Sequence, residues 1–208
     1  MLTYAIGLLA QLFFSARILV QWVLSERRRQ VVAPAAYWVF SLMGSVLLFV
    51  YGALRNDFSI LLGQTLSYYI YIWNLKSQGH WAQIKPSVFR YALLLLPPIV
   101  ATMLMGQADD FLHSLFRNED IPLWLLLLGS VGQCIFSLRF VYQWYYSYRI
   151  GKSTLPLGFW VISLVGSSII IIYALIRLDP ILILGQSFGL FAYIRNIMLS
   201  RREKGTSV

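Results

Sequence analysis

The sequence is poor in the residues on which most soluble domains and most enzymes depend. It holds one cysteine and two histidines in 208 residues, and only 12% of its residues are charged. Cys134 lies in an apolar run without a partner, which excludes a disulfide framework and a cysteine-based metal site. His80 and His113 stand far apart in polar stretches, so a metal centre or a catalytic triad is not expected, and no cofactor is expected. Soluble domains carry about 25% charged and about 45–50% apolar residues. Here 59% are hydrophobic and the mean hydropathy is +0.68. That is too little polar surface to cover a globule in water, and it predicts an all-α integral membrane protein.

What is present fits that class. Seven Trp, thirteen Tyr and thirteen Phe suit a chain that meets two membrane–water interfaces. A spanning helix needs about 20 mostly apolar residues. Seven segments qualify: 2–24, 35–54, 58–75, 91–106, 123–146, 157–176 and 180–199. The fourth is the shortest and contains Pro97-Pro98. The first has no basic residues before it and outruns the usual signal-peptide length, so it reads as a retained helix.

The formal net charge of +9 comes without any nucleic-acid-binding motif, and the placement of the basic residues reads as topology. Of 17 Lys and Arg, 11 follow the first, third, fifth and seventh segments, among them Arg27–Arg29, Lys76, Arg149 and Arg201. The opposite side holds Arg55, Arg117 and Arg177, and its longest loop is acidic. Arg17, Arg139 and Arg195 fall within segments. The positive-inside rule then places the N-terminus outside and the C-terminus in the cytoplasm.

Sliding the chain on itself by 122 residues aligns 11–74 with 133–196 without a gap, with 24 identities in 64 positions. Polar residues are among them: Gln11, Arg17, Gln21, Trp22 and Ser25 match Gln133, Arg139, Gln143, Trp144 and Ser147. The duplication predicts two parallel three-helix repeats joined by a linker helix, a 3+1+3 arrangement related by an axis along the membrane normal. The domain division is 1–76, a linker over 77–122, 123–200, and a cytoplasmic tail over 201–208.

These repeated residues carry a family resemblance. The run Gln-x5-Arg-x3-Gln-Trp, then Pro-x3-Trp-x2-Ser-x2-Gly, then Tyr-x3-Arg-x-Asp, Gly-Gln and Tyr-x2-Asn is met twice. It resembles the lipid A biosynthesis N-terminal domain, over about 130 of the 208 residues. That family is named for its place ahead of the glycosyltransferase portion of some lipid A disaccharide synthases, and it is distantly similar to PQ-loop and SWEET-type transporters. The resemblance implies work on envelope glycolipids in a bacterial inner membrane. The Pro-Gln dipeptide of PQ-loop proteins is replaced by Ala10-Gln11, Gly132-Gln133, Gly63-Gln64 and Gly185-Gln186. No glycosyltransferase segment is expected after the repeats, and synthase activity is therefore not expected to carry over.

Arg17 and Arg139 are the sharpest candidates for chemistry. A charged residue inside a span costs about 2.5–3.5 kcal/mol on insertion scales and usually faces a bundle interior or a polar cavity. Guanidinium forks suit phosphate oxygens. The competing reading is snorkelling, or a bond to a helix end. Gln21 and Gln143 lie one turn on, on the same face. Tyr71 with Asn74, and Tyr193 with Asn196, lie at about the same depth near the end of the third helix of each repeat. Trp38 and Trp160 read as interface-belt residues or as stacking surfaces for a sugar or a lipid chain. Gln11, Gln133, Gln64 and Gln186 line a polar path or join helices. Arg55 with Asp57, and Arg177 with Asp179, sit in outer turns, as a local ion pair or an outer gate. Ser41, Gly44 and Ser45, with Ser163, Gly166 and Ser167, form a small-residue packing face.

No nucleophile is paired with a base, and the spans hold no carboxylate beyond the turn aspartates, so the expectation is that the chain is not an enzyme. The leading expectation is a flippase-like transporter of an anionic lipid-linked substrate, a lipid A precursor or a polyprenyl-phosphate sugar, its two bundles rocking about a phosphate centre. The alternatives are an accessory protein that docks a glycosyltransferase or acyltransferase, and a SWEET-like transporter of small sugars. Membrane lipids are expected partners and nucleic acid is not.

Overall fold

A computed structural model describes residues 2–54, 58–104, 122–178 and 180–206. Among these residues the chain is helical and contains no strand. The helices are α1 (Leu2–Arg28), α2 (Ala35–Leu54), α3 (Phe58–Ser77), α4 (Ser87–Leu104), α5 (Leu123–Arg149), α6 (Leu157–Ile176) and α7 (Pro180–Thr206). A 3-10 turn, Trp81–Gln83, precedes α4. The all-helical expectation holds, and the helix positions follow the seven apolar segments. Pro97 and Pro98 lie inside α4.

Among the described residues, three helices are long and apolar enough to cross a membrane: Ala5–Arg28 within α1, Leu123–Arg149 and Leu157–Ile176. The apolar stretches Ala35–Tyr51 and Ser87–Val100 are shorter. Helices α3 and α7 end in polar runs, Asn74-Leu75-Lys76-Ser77 and Arg201-Arg202-Glu203-Lys204.

The chain divides into two compact units. The first takes Met1–Arg17 and Ala35–Asn118; the second takes Ile18–Pro34 and Glu119–Val208. Helix α1 is therefore shared: its first half meets α2 and α3 through Phe13 and Arg17, and its second half meets α7 through Gln21, Trp22 and Glu26.

In the first unit, Phe49 meets Tyr68 edge to face at 5.4 Å, and the Tyr68 hydroxyl donates to the Leu93 carbonyl of α4 at 2.8 Å. Tyr69 repeats this to Leu94 at 3.1 Å. In the second unit, Gly166 lies so close to α5 that an added Cβ would stand 2.7 Å from the Phe136 backbone nitrogen.

Polarity is inverted relative to a water-soluble bundle. Leu8, Leu12, Leu127, Leu138, Val165 and Ile172 are exposed, whereas Arg17, Gln21, Ser25, Asn74, Arg139, Gln143, Ser163 and Asn196 are buried. In water, exposed apolar side chains forfeit about 25 cal/mol per Å² of apolar area.

Three helices end in the same way. After α1, the N–H of Arg29 reaches Glu26 O at 3.2 Å and that of Gln30 reaches Ser25 O at 3.2 Å. Gly79 and His80 after α3, and Gly151 and Lys152 after α5, make the same pair of bonds. This Schellman ending needs a left-handed residue at its turn, usually glycine. Gly79 (φ 77°) and Gly151 (φ 67°) supply it, but after α1 the residue is Arg29 (φ 52°). Leu178, after α6, is also left-handed (φ 53°). A side chain in this conformation costs about 1–2 kcal/mol.

Candidate functional site

The sequence places Arg17 and Arg139 at matching positions of the two repeats, and both are buried, at 6% and 5% exposure. Arg17 belongs to the first unit. Its Nη1 donates to Ser41 Oγ on α2 at 3.0 Å and to the Tyr71 hydroxyl on α3 at 3.2 Å, so one guanidinium ties three helices. Ser41 in turn donates to the Tyr37 carbonyl at 2.6 Å. The guanidinium carbon lies 4.6 Å from the Phe14 ring centroid, 5.5 Å from Tyr37 and 5.8 Å from Tyr71. Ring faces carry negative potential, so this cage compensates part of the desolvation of the cation.

The second unit builds its own version around Arg139. Its guanidinium carbon is 3.3 Å from the Phe136 centroid, 4.6 Å from Phe140 and 5.9 Å from Phe159. Phe159 stands where the first repeat has Tyr37, and Ser163 donates to the Phe159 carbonyl at 2.6 Å as Ser41 does to Tyr37.

Trp38 and Trp160 close the two aromatic clusters. Trp38 packs edge to face on Tyr37 at 4.8 Å and lies 6.3 Å from Tyr71; Trp160 lies 4.9 Å from Phe159 and 6.1 Å from Tyr193. Both indoles are buried, and among the described residues neither Nε1 donor has a hydrogen-bond partner. Buried donors are nearly always paired, and an indole N–H can only donate. Each unit therefore carries a buried guanidinium and an unsatisfied indole N–H within one cluster, a donor-rich setting that suits an anionic oxygen.

The buried amides have structural partners. Gln21 Nε2 donates to Ser25 Oγ at 2.9 Å and to Asn196 Oδ1 at 2.8 Å, and Asn196 Nδ2 returns a bond to Gln21 Oε1 at 3.1 Å. Gln143 Nε2 donates to Ser147 Oγ at 2.9 Å and to the Thr154 carbonyl at 2.8 Å. The serines then hold the loops: Ser25 Oγ accepts from Val32 N at 3.2 Å and Ser147 Oγ from Thr154 N at 3.1 Å. Asn74 and Asn196 donate to the carbonyls four residues back, Ile70 and Ala192. Gln64 accepts from Ser45, and Gln186 from Ser167, each at 2.8 Å. Gln11 and Gln133 are exposed. Arg177 is exposed at the end of α6, while Arg55, Asp57 and Asp179 lie outside the described residues.

One further group is not marked by the repeat. Arg195 on α7 donates to both carboxylate oxygens of Glu26 on α1, with Nη2 to Oε2 at 2.9 Å, and Trp22 Nε1 adds a third donor to that carboxylate at 3.2 Å. A cavity of about 620 Å³ opens beside this pair, lined by Glu26, Arg29, Arg195, Leu199 and Arg202. The available signal was difference rather than identity. At these positions the other repeat has Tyr148 for Glu26, Gly151 for Arg29, Trp73 for Arg195 and His80 for Arg202.

A duplicated three-helix unit with Arg, Trp, Tyr and Asn at fixed spacing defines the class. The model of the lipid A biosynthesis N-terminal domain matches residues 6–76 and 128–198, and the chain belongs to that family. The lipid-A-disaccharide synthase of Chlamydia pneumoniae is 32% identical over 212 residues, covering 98% of this chain and 34% of the relative. Those of Chlamydia muridarum (32%) and Chlamydia trachomatis serovar D (31%) each cover 96% of this chain and 34% of the relative. The chain thus spans about a third of the length of the curated relatives it matches. No solved structure matches it.

These relatives correct one expectation. The chain was expected not to be an enzyme, but relatives that match nearly all of it bear an enzyme's name. The expectation rested on the lack of a paired nucleophile and base in a sequence spanning about a third of those proteins, which is too narrow a basis for it.

Proposed function

We propose that the chain is a seven-span protein of the bacterial inner membrane, N-terminus outside and C-terminus cytoplasmic, that binds and translocates an anionic lipid-linked substrate in lipid A biosynthesis. The substrate class is a lipid A precursor or a polyprenyl-phosphate sugar. The observation that carries the reading is the repeated cluster: Arg17 with Trp38 and Tyr71, and Arg139 with Trp160 and Tyr193. Family membership supplies the pathway, the inverted polarity supports the membrane setting, and the buried donors favour a phosphate as the recognised group. Gln21, Gln143, Asn74 and Asn196 hold the helices and loops that position the arginines.

The test is the lipid retained by gently purified protein, identified by mass spectrometry. The wild-type protein is expected to retain a phosphorylated glycolipid or polyprenyl phosphate. The Arg17→Ala, Arg139→Ala double variant is expected to lose it by about ten-fold or more, the effect of about 1.4 kcal/mol in binding. Bulk phospholipid in equal amounts in both proteins would sink the substrate-binding role of the arginines.

A second reading is favoured by the enzyme's name that the relatives bear. In it the chain is a non-transporting accessory that docks a glycosyltransferase or acyltransferase at the membrane, through the basic loops 26–30 and 76–90. That reading expects a complex that survives the arginine substitutions and is lost on charge reversal in the loops.

A further inference from the structure

We infer that the cavity between the end of α1 and α7 is a phosphate-binding site, and that Arg29 is kept in a strained conformation to serve it. The inference goes beyond the reading above. It uses none of the residues of the Arg17 and Arg139 clusters, and it stands whether or not those bind substrate.

The cavity carries an excess of positive charge. Its lining holds three guanidinium groups, Arg29, Arg195 and Arg202, against one carboxylate, Glu26, a formal excess of two positive charges. Glu26 grips Arg195 through two donors and so fixes the orientation of that guanidinium at the cavity wall. Leu199 supplies an apolar side. A cavity of about 620 Å³ with fixed guanidinium donors fits a phosphomonoester or diphosphate, whose oxygens accept paired N–H donors.

The favourable position of cations at helix C-termini explains Arg27 and Arg28, which lie in the last turn of α1. It does not explain Arg29, which stands one residue beyond the helix with φ at 52°. The aligned residue of the second repeat is Gly151, which closes α5 with the same two hydrogen bonds and carries no side-chain strain. The first repeat thus places a guanidinium where its copy has the conformationally cheaper residue. Strain of this kind persists where the surroundings use it. The partners Glu26, Arg195 and Arg202 have no charged counterparts in the other repeat either, so the charge constellation belongs to one end of the second unit alone.

The phosphate has two possible sources, a lipid headgroup or a soluble nucleotide, and the probes separate them. The full chain in nanodiscs is titrated with dioctanoyl phosphatidic acid, uridine diphosphate and dioctanoyl phosphatidylglycerol. Either of the first two is expected to bind about ten-fold more tightly than the phosphodiester lipid. The stronger of the two identifies the source. Arg29→Gly is expected to weaken that probe by about ten-fold while raising the unfolding temperature by about 2–4 °C. Arg29→Asn, neutral and tolerant of the left-handed region, should weaken binding to the same extent. Equal affinity for all three probes, unchanged affinity in either variant, or a lowered unfolding temperature in Arg29→Gly would overturn the proposal.

Discussion

Gly44 and Gly166 occupy matching positions in the two repeats, yet an added methyl group meets different matter at each. At Gly44 it would stand 2.9 Å from the Phe14 ring, a side chain able to turn aside. At Gly166 it would stand 2.7 and 2.8 Å from the backbone N and Cα of Phe136, which cannot move without shifting α5. Overpacking of that kind costs about 1–3 kcal/mol. Gly166→Ala is therefore expected to fall in that range and Gly44→Ala below about 1 kcal/mol, compared by thermal unfolding in one detergent. Equal losses would mean that α6 slides to make room. The Ser-x2-Gly-Ser spacing announced a close-packed face, but its serines also carry bonds that spacing alone does not reveal. Ser41 receives Arg17 and Ser45 bonds Gln64. Which arginine atom meets which hydroxyl depends on rotamers set by neighbouring helices.

At the scale of elements, α1 and α7 are joined inside the second unit by the reciprocal amide pair of Gln21 and Asn196, both fully buried. Removing one member leaves the amide oxygen of the other without that donor, at about 1–3 kcal/mol. Gln21→Leu and Asn196→Leu are each expected to show a loss of that size, and the double variant to lose less than the sum of the two. The coupling read from the cycle should approach the upper values known for polar pairs in membrane proteins, about 0.6–1.7 kcal/mol. A coupling of zero would show that the amides act through their other bonds, to Ser25 and to the Ala192 carbonyl. The 122-residue offset made both amides conspicuous in the sequence. Their pairing was not, because they lie 175 residues apart and only the packing of α1 on α7 brings them together.

At the scale of the molecule, the inverted distribution of polarity and the lopsided distribution of Lys and Arg give the proposed topology a direct test. With Cys134 replaced by serine, a single cysteine at Gln30 or Lys152 is expected to resist an impermeant maleimide in spheroplasts and to react in inverted vesicles. A cysteine at Leu178 should behave oppositely. All three are exposed, so access is decided by sidedness. Labelling of all three from one side would refute the alternating arrangement of α1, α5 and α6.

Apolar runs of helical length, the repeat and the family signature are properties of the chain's linear order, and the sequence by itself determined them. Hydrophobic period and charge placement need no partner to be read. The tertiary structure alone decided that α1 is shared between two units, that the indoles of Trp38 and Trp160 find no partner among the described residues, and that Glu26 and Arg195 meet beside a cavity. Each of these depends on contacts between residues far apart in the chain. The repeat is defined by the residues its two copies share, whereas the charged cavity is built from residues in which they differ.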